Sequence, residues 1–389
     1  MLNGVASLLV KLRLMLLGGV VALLAACDPA IIQAPPSLTR SSEPVTVALL
    51  VPSSSPNAGD AVVAQSLENA ARLAISDLEG VEVKLLILDS GGNGIQASAA
   101  AAEAVQAGAR VILGPLFSEA ANAVGVTLQR TNVPVLAFSN NTSIAGGNVL
   151  TLGNTFENAS RRLLSYASSQ GRSRIFVAHA DNIAGDAANR AITKAAGANA
   201  TAVVGSVAYP FSQEGVFDAA RQVADGARAS GADSVMLTSD AAGALPLFAQ
   251  LLPERGLTPG TVQYMGLTRW DIPQIMSLPA LQGGWFPLQD PGRVSAFSRR
   301  YQDAYGSAPH PLAGLAYDGI AAIGALRAQG LAVNGANLRQ SAGFQGTGGA
   351  FRFLPDGTIE RSLAVATIEA GAVRIVDPAP QGFGGGAGF

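Results

Sequence analysis

From residue 45 onward, short runs of apolar, β-branched residues alternate with alanine-rich segments whose apolar positions recur every three to four residues. The uncharged run over 45–51 predicts a strand buried on both faces, and 60–78 predicts a helix with Leu67, Ala71, Ala74 and Ile75 on one face. Strands over 81–88, 111–113 and 133–138 follow, separated by helices over 95–107 and 119–130. Uninterrupted apolar strands divided by helices imply a parallel sheet covered on both faces, and right-handed crossovers make it doubly wound. The pattern then repeats, with strands over 174–179, 201–207 and 234–238 and helices over 186–196, 213–230 and 243–252. A short strand over 263–266, helices over 294–305 and 312–328, and a hairpin of 349–353 with 363–368 complete the chain. Pro355-Asp356-Gly357 supplies the hairpin turn. The expected fold class is α/β, with two doubly wound lobes.

The first 44 residues have a different texture. An apolar run over 14–26 lies behind Lys11 and Arg13 and is too short to span a bilayer, but has the length of a signal-peptide core. It ends in Leu24-Ala25-Ala26-Cys27, which holds the only cysteine of the chain. This stretch resembles the lipobox of bacterial lipoproteins. The resemblance implies cleavage before Cys27, a diacylglycerol on its thiol and acylation of the new amine, and two or more chains anchor a protein stably. The alternative is an unpaired, buried cysteine in an ordinary secretory signal. Residues 1–26 are thus expected to be a lipoprotein signal peptide and 27–44 a proline-rich tether. The glycine-rich 378–389 is expected to be a disordered tail.

Composition narrows the class of function. Hydrophobic residues make up 49% of the chain and charged ones 13%, about half the usual charged share. A net charge of −2 without a basic cluster argues against nucleic acid. Catalytic signals are absent: there is no G-x-S-x-G elbow, and the two histidines, His179 and His310, are far apart and lack metal-ligand spacing. The loop Asp89-Ser90-Gly91-Gly92-Asn93-Gly94 lacks both the Walker lysine and the G-x-G-x-x-G spacing, so no nucleotide cofactor is expected. No enzyme activity, metal or cofactor follows from these residues.

In an open α/β sheet, ligands bind outside the carboxyl ends of the strands. Gly114-Pro115-Leu116-Phe117-Ser118 and Ala137-Phe138-Ser139-Asn140-Asn141-Thr142 lie at such ends, and Ser118, Ser139 and Asn141 are candidate ligand-binding residues there. Beside helix N-terminal N–H groups their side chains suit an anion; equally, Ser118 and Ser139 suit the role of helix caps.

The chain from Val45 to about Ile375 resembles the type I periplasmic-binding-protein fold of leucine/isoleucine/valine-binding proteins. The resemblance rests on Val47-Ala48-Leu49-Leu50-Val51-Pro52, Ala109 to Ser118, Val133-Pro134-Val135-Leu136-Ala137, Tyr264-Met265-Gly266, Ala316-Tyr317-Asp318-Gly319 and Gly346-Thr347-Gly348, in that order. It implies two lobes that close on a ligand through a hinge of three crossovers, placed near Gly153, near Leu267 and around Gly335. Lobe 1 would comprise 45–153 plus 267–335, and lobe 2 would comprise 154–266 plus 336–377. An amino-acid receptor of this fold needs an acid in lobe 2 for the ammonium. Against that pattern Ser118 keeps the lobe 1 hydroxyl, Thr268 stands where an acid is expected, and Ala184 replaces an aromatic. The acid expected near the first hinge falls at Phe156, beside Glu157. Asp240 is a substitute acid, or else a cap for the helix after it.

More narrowly, Leu136-Ala137-Phe138-Ser139, Leu267-Thr268-Arg269-Trp270-Asp271 and Gly283-Gly284-Trp285-Phe286 resemble the penicillin-binding protein activator family. This implies a non-enzymatic, lipid-anchored envelope protein, facing the periplasm, that regulates peptidoglycan synthesis by contacting a bifunctional synthase. The helical repeat domain of enteric members is missing. Arg269 and Trp270 are the candidate partner anchors, with Trp285 assigned to a core packed on the lobe 1 sheet. Activator relatives sit in the outer membrane, the expected location, although Asp28 resembles an inner-membrane retention signal. The alternative function is a substrate-binding protein of an ABC transporter for amino acids or small amide- or peptide-like ligands.

Overall fold

A computed structural model describes residues 43–383. The expectations for the signal peptide over 1–26, the tether, the lipidated Cys27 and the last six residues lie outside these described residues. The elements run β1 (Val45–Val51), α1 (Ala58–Ser76), β2 (Val83–Asp89), α2 (Gly94–Gln106), β3 (Val111–Leu113), α3 (Ser118–Thr127), β4 (Val135–Ala137), β5 (Val149–Thr151) and α4 (Phe156–Ser169). They continue with β6 (Arg174–Ala180), α5 (Ile183–Ala198), β7 (Ala202–Tyr209), α6 (Gln213–Ser230), β8 (Ser234–Leu237), α7 (Leu245–Glu254), β9 (Gln263–Gly266) and α8 (Pro273–Met276). The last are β10 (Trp285–Leu288), α9 (Pro291–Tyr305), α10 (Ala313–Ala328), α11 (Gly335–Leu338), β11 (Phe344–Gly346), β12 (Gly349–Phe353), β13 (Ile359–Arg361), β14 (Ala364–Glu369) and β15 (Ala372–Asp377).

Two sheets organise the chain, each built on a central strand with apolar residues on both faces. Five strands in the order β2-β1-β3-β4-β5, all parallel, form the sheet of lobe 1. Seven in the order β15-β14-β10-β9-β8-β6-β7 form that of lobe 2, where only β14 runs against the others, so its pairings with β10 and β15 are antiparallel. The orders 2-1-3-4-5 and 7-6-8-9-10 are the same doubly wound path, as the alternating pattern predicts. Each sheet is covered on both sides. In lobe 1 one face packs against α1, α9 and α10 and the other against α2 and α3; in lobe 2 α6 and α7 oppose α4 and α5.

Side-chain caps start most of the helices that leave a strand's carboxyl end. Asn57, Asn93, Thr155, Asn182 and Ser212 each accept a hydrogen bond from a backbone N–H in the first turn. Strand β5 and helix α4 are not among the expected elements, although α4 repeats Ala159, Leu163, Leu164 and Ala167 along one buried face.

The boundaries between the lobes differ from expectation. The first crossover runs from β5 to α4 through Gly153. The second follows Leu288 rather than Leu267, because Trp285–Leu288 pairs in parallel with β9 and antiparallel with β14 inside the lobe 2 sheet. The third lies between Arg361 and Ala364 rather than around Gly335. The reason is that β11, β12 and β13 form a small antiparallel sheet whose Phe344, Phe351, Phe353 and Ile359 join the lobe 1 core. The expected hairpin is therefore two: β12 turns at Pro355-Asp356-Gly357 into β13, and β14 turns at Ala370-Gly371 into β15.

The crossovers are tied together by buried polar groups. Arg361 Nη1 donates to Asp318 Oδ2 at 2.6 Å and Nη2 donates to the Leu152 carbonyl at 2.8 Å. The Arg361 backbone exchanges two hydrogen bonds with the Asn158 amide on α4. One residue at the third crossover thus joins the first crossover, a lobe 1 helix and a lobe 2 helix. The segment after β15 is not disordered as far as Phe383. Ala379 is buried, Ser362 donates to the Pro380 carbonyl, Gln345 Nε2 donates to the Gln381 carbonyl at 3.1 Å, and Phe383 lies under the Arg352 guanidinium at 4.7 Å. This strap runs from the lobe 2 sheet onto the small sheet of lobe 1, through backbone carbonyls that a reading of side-chain composition does not register.

Candidate ligand-binding cleft

The first crossover is short and leaves the carboxyl end of the lobe 1 sheet to enter α4, whose first residue, Phe156, lies among the strand ends of lobe 2. Thr142 Oγ1, just after β4, donates to Glu157 Oε1 at 2.7 Å across this junction. The carboxyl ends of both sheets therefore face each other, and β2 and β7 lie farthest from the crossovers.

On the lobe 2 side a recess of about 210 Å³ opens at the switch point between β6 and β8. Its wall comprises Ala180, Asn182, Ala184 and Gly185 after β6, Tyr209 and Phe211 after β7, and Thr238, Ser239, Asp240 and Gly243 after β8. Phe156 and Thr268 close it. Two glycines set its shape. A Cβ on Gly185 would lie 2.0 Å from the Ala180 carbonyl, so only glycine lets α5 start this close to β6. A Cβ on Gly243 would meet Asp240 Oδ1 at 2.9 Å and the Phe211 ring at 3.4 Å, so its absence leaves carboxylate and ring side by side.

The polar groups of the recess differ in how far they are satisfied. Thr268 Oγ1 donates to the Ser239 carbonyl at 3.1 Å. The Ser239 hydroxyl is buried and makes no well-formed hydrogen bond. It lies close enough to Tyr209 to oppose the effect of burial, which pushes the Tyr209 phenol above its ordinary pKa; the negative charge of Asp240 pushes it the same way. Asp240 caps no helix: α7 begins at Leu245, preceded by Ala244 without a side-chain cap. Its exposed carboxylate is left facing the recess.

The residues singled out from the sequence separate accordingly. Asp240 and Thr268 come together in the recess. Ser118, Ser139 and Asn141 stand on the opposite lobe. Ser118 is the first residue of α3 and caps nothing. Ser139 is buried, its Oγ accepting from the Asn141 N–H at 3.1 Å, and Asn141 caps a single turn over Thr142–Ile144. Asn182, Tyr209, Phe211, Thr238 and Ser239 were missed, although each lies at the carboxyl end of a strand beside the second switch point. His179 is buried in β6, its Nδ1 3.2 Å from the Ala180 carbonyl. No group of metal-binding side chains occurs among the described residues.

Two placements near β9 and β10 need correction. Trp270 is fully buried: it stacks on Phe286 with ring centroids 5.9 Å apart, in a space that Gly266 and Gly284 leave open. It is no surface anchor. Arg269 is exposed, but its guanidinium is held by Asp271 at 2.8 Å. Trp285 packs in lobe 2, not lobe 1, edge-on to Tyr166 at 4.8 Å.

Residues 44–372 match the family model described as Periplasmic binding protein. The chain belongs to this family. Its members are binders rather than enzymes and work outside the cytoplasm, and no helix among the described residues is long and apolar enough to cross a membrane. Solved structures agree on the fold. A branched-chain amino acid ABC transporter periplasmic ligand-binding protein from Burkholderia xenovorans is 20% identical, with a TM-score of 0.68 over 88% of this chain and 97% of that one. An ABC transporter solute-binding protein from R. palustris, in complex with 4-hydroxybenzoate, gives 0.60 at 20% identity, covering 87% and 98%. An ABC transporter substrate-binding protein from Desulfitobacterium hafniense, in complex with Leu, gives 0.62 at 18%, covering 86% and 100%. No curated protein matches the chain.

Proposed function

We propose that this periplasmic binding protein is a solute receptor that captures a small molecule between its lobes for an ABC transporter. The observation that carries this reading is the recess of about 210 Å³ at the lobe 2 switch point, walled by Tyr209, Phe211 and the exposed Asp240. Small molecules in two structures of the same fold, leucine and 4-hydroxybenzoate, support it by analogy. The test is a thermal-shift screen of amino acids, aromatic acids and amines. A ligand at 100 times its Kd stabilises the folded state by about 2.7 kcal/mol. A rise in melting temperature that Phe211→Ser reduces is expected; no rise with any of the three classes contradicts the reading.

A second reading is contact with a bifunctional peptidoglycan synthase by a lipoprotein anchored through Cys27. Trp270 no longer supports it. The exposed apolar residues at the cleft ends of both lobes, Ile95, Phe117, Ile183 and Phe211 among them, do. Pull-down from detergent-solubilised envelopes separates the two, since a permease and a synthase are easily told apart.

A further inference from the structure

After its three crossovers the chain passes between the lobes once more, because the strap over 378–383 carries it from β15 back onto lobe 1. Its place in the sheet order matters. In lobe 2 the strands run β7, β6, β8, β9, β10, β14, β15 away from the mouth of the cleft. The second crossover leaves β10, the third enters β14, and the strap leaves β15, outboard of both. Lobe 1 matches this, for the small sheet continues past β5, whose Thr151 N–H donates to the Gly357 carbonyl at 2.9 Å. A rotation about the crossovers that brings the mouth edges β2 and β7 together therefore draws the two attachments of the strap apart.

Those attachments are held on unequal terms. The root is clamped by Arg162 of α4, which is 9% exposed. Its Nε donates to the Leu363 carbonyl at 2.6 Å and its Nη2 pairs with the Asp377 carboxylate at 2.8 Å. Ser362, in the third crossover, holds the middle through the Pro380 carbonyl. The tip rests on lobe 1 through the exposed Gln345 bond to the Gln381 carbonyl and the half-buried Phe383 ring under Arg352. Gly343 makes room for that ring, since a Cβ there would lie 3.0 Å from Phe383 Cδ2. Arg352 keeps its place without the ring, because it donates through Nε to Glu360 at 2.6 Å. Under the strap, a cavity of about 20 Å³ separates Pro380 and Phe383 from α4 and the third crossover. One exposed hydrogen bond and one cation–ring contact are each weak, so the tip can lift while the root stays.

We infer that the strap is a releasable brace: its tip grips lobe 1 while the lobes stand apart and lets go as the cleft closes. This rests on the solute-receptor reading and states how the affinity of that receptor is set. The lobes are apart in this structure, since every residue lining the recess belongs to lobe 2. A solute that binds the closed form is held more tightly the larger the closed fraction already is. The brace lowers that fraction from outside the cleft.

The test is the distance between spin labels at Ile95→Cys and Ile183→Cys in the full chain with Cys27→Ser, first without any compound and then with leucine or 4-hydroxybenzoate. Gln345→Ala combined with Phe383→Ala leaves the clamped root and the Arg361–Asp318 pair in place. It is expected to shift the unliganded distances toward shorter values, with the closed fraction raised about 5-fold. Phe383→Trp strengthens the contact with Arg352 and is expected to lower that fraction. The affinity for a compound that shortens the distance should rise in the double variant by the same factor. Unliganded distances that are the same in wild type and both variants overturn the inference, as does a lengthening in the double variant. Failure of the receptor reading has a different signature: the unliganded distances respond to the variants, but neither compound changes them in any protein.

Discussion

The hinge and the cleft end of this molecule are built on opposite terms. At the hinge the buried charges are paired within the chain: Arg361 and Asp318 are 3% and 1% exposed and bonded to each other, to Leu152 and to Thr347. At the cleft end Ile95, Ile183 and Phe211 are 87%, 88% and 75% exposed. One region is held by buried ion pairs within the chain, and the other leaves large apolar side chains in solvent that a bound molecule or closure of the lobes would cover. Stability and function therefore reside at different ends, so substitutions at the two ends should differ in kind as well as in size.

The largest effects are expected at the hinge. Arg361→Met leaves Asp318 buried without its counter-charge, at a cost of about 3–5 kcal/mol in urea unfolding. The double replacement with Asp318→Leu should recover part of that loss, because an apolar pair leaves no buried charge. A cost below 1 kcal/mol for the single variant would break the comparison. Trp270→Ala empties a fully packed site and should cost about 3–5 kcal/mol in thermal or chemical unfolding. A near-neutral result would return Trp270 to the surface.

At the cleft end the order of effects reverses. Phe211→Ser should change the stability of the unliganded protein by no more than about 0.5 kcal/mol, while weakening solute binding measured by titration. The smallest effect is expected at Asp89, which stitches two lobe 1 loops by accepting from the Ser54, Gly91 and Gln96 N–H groups at 2.8–3.1 Å. Burial opposes its ionisation, but these hydrogen bonds outweigh burial and hold the carboxyl below its ordinary pKa. Its contribution is thus complete above the unfolded value of about 3.9 and is lost as the pH falls through the lower folded value. Asp89→Asn should accordingly flatten the loss of melting temperature below about pH 4. An identical acid limb in wild type and variant would show that the loops need no carboxylate.

How much of this was legible in the sequence follows the same division. The alternation of apolar strands and alanine-rich helices shows both lobes, because it reflects local periodicity. The second and third crossovers were misplaced because Trp285–Leu288 and Phe344–Gly346 are short strands whose lobe is decided by pairing partners distant in sequence. Trp270 was misread for a related reason. Its flanking Arg269 and Asp271 look like surface, while the space that buries its ring comes from Gly266 and Gly284. In the site, Asp240 and Thr268 were legible as strand-end residues. Asn182, Tyr209 and Ser239 were not, because polar residues at a strand end become a site only once the switch point is known.

The central claim is that the cleft captures a solute by closing the lobes. The direct measurement is the distance between spin labels at Ile95→Cys and Ile183→Cys, in the chain with Cys27→Ser, with and without 2-phenylethylamine, leucine or 4-hydroxybenzoate. These positions lie near the edges farthest from the crossovers, where closure moves the lobes most. The account predicts that at least one compound shortens the distance and that Phe211→Ser reverses the shortening. A distance that none of the three compounds changes would contradict it.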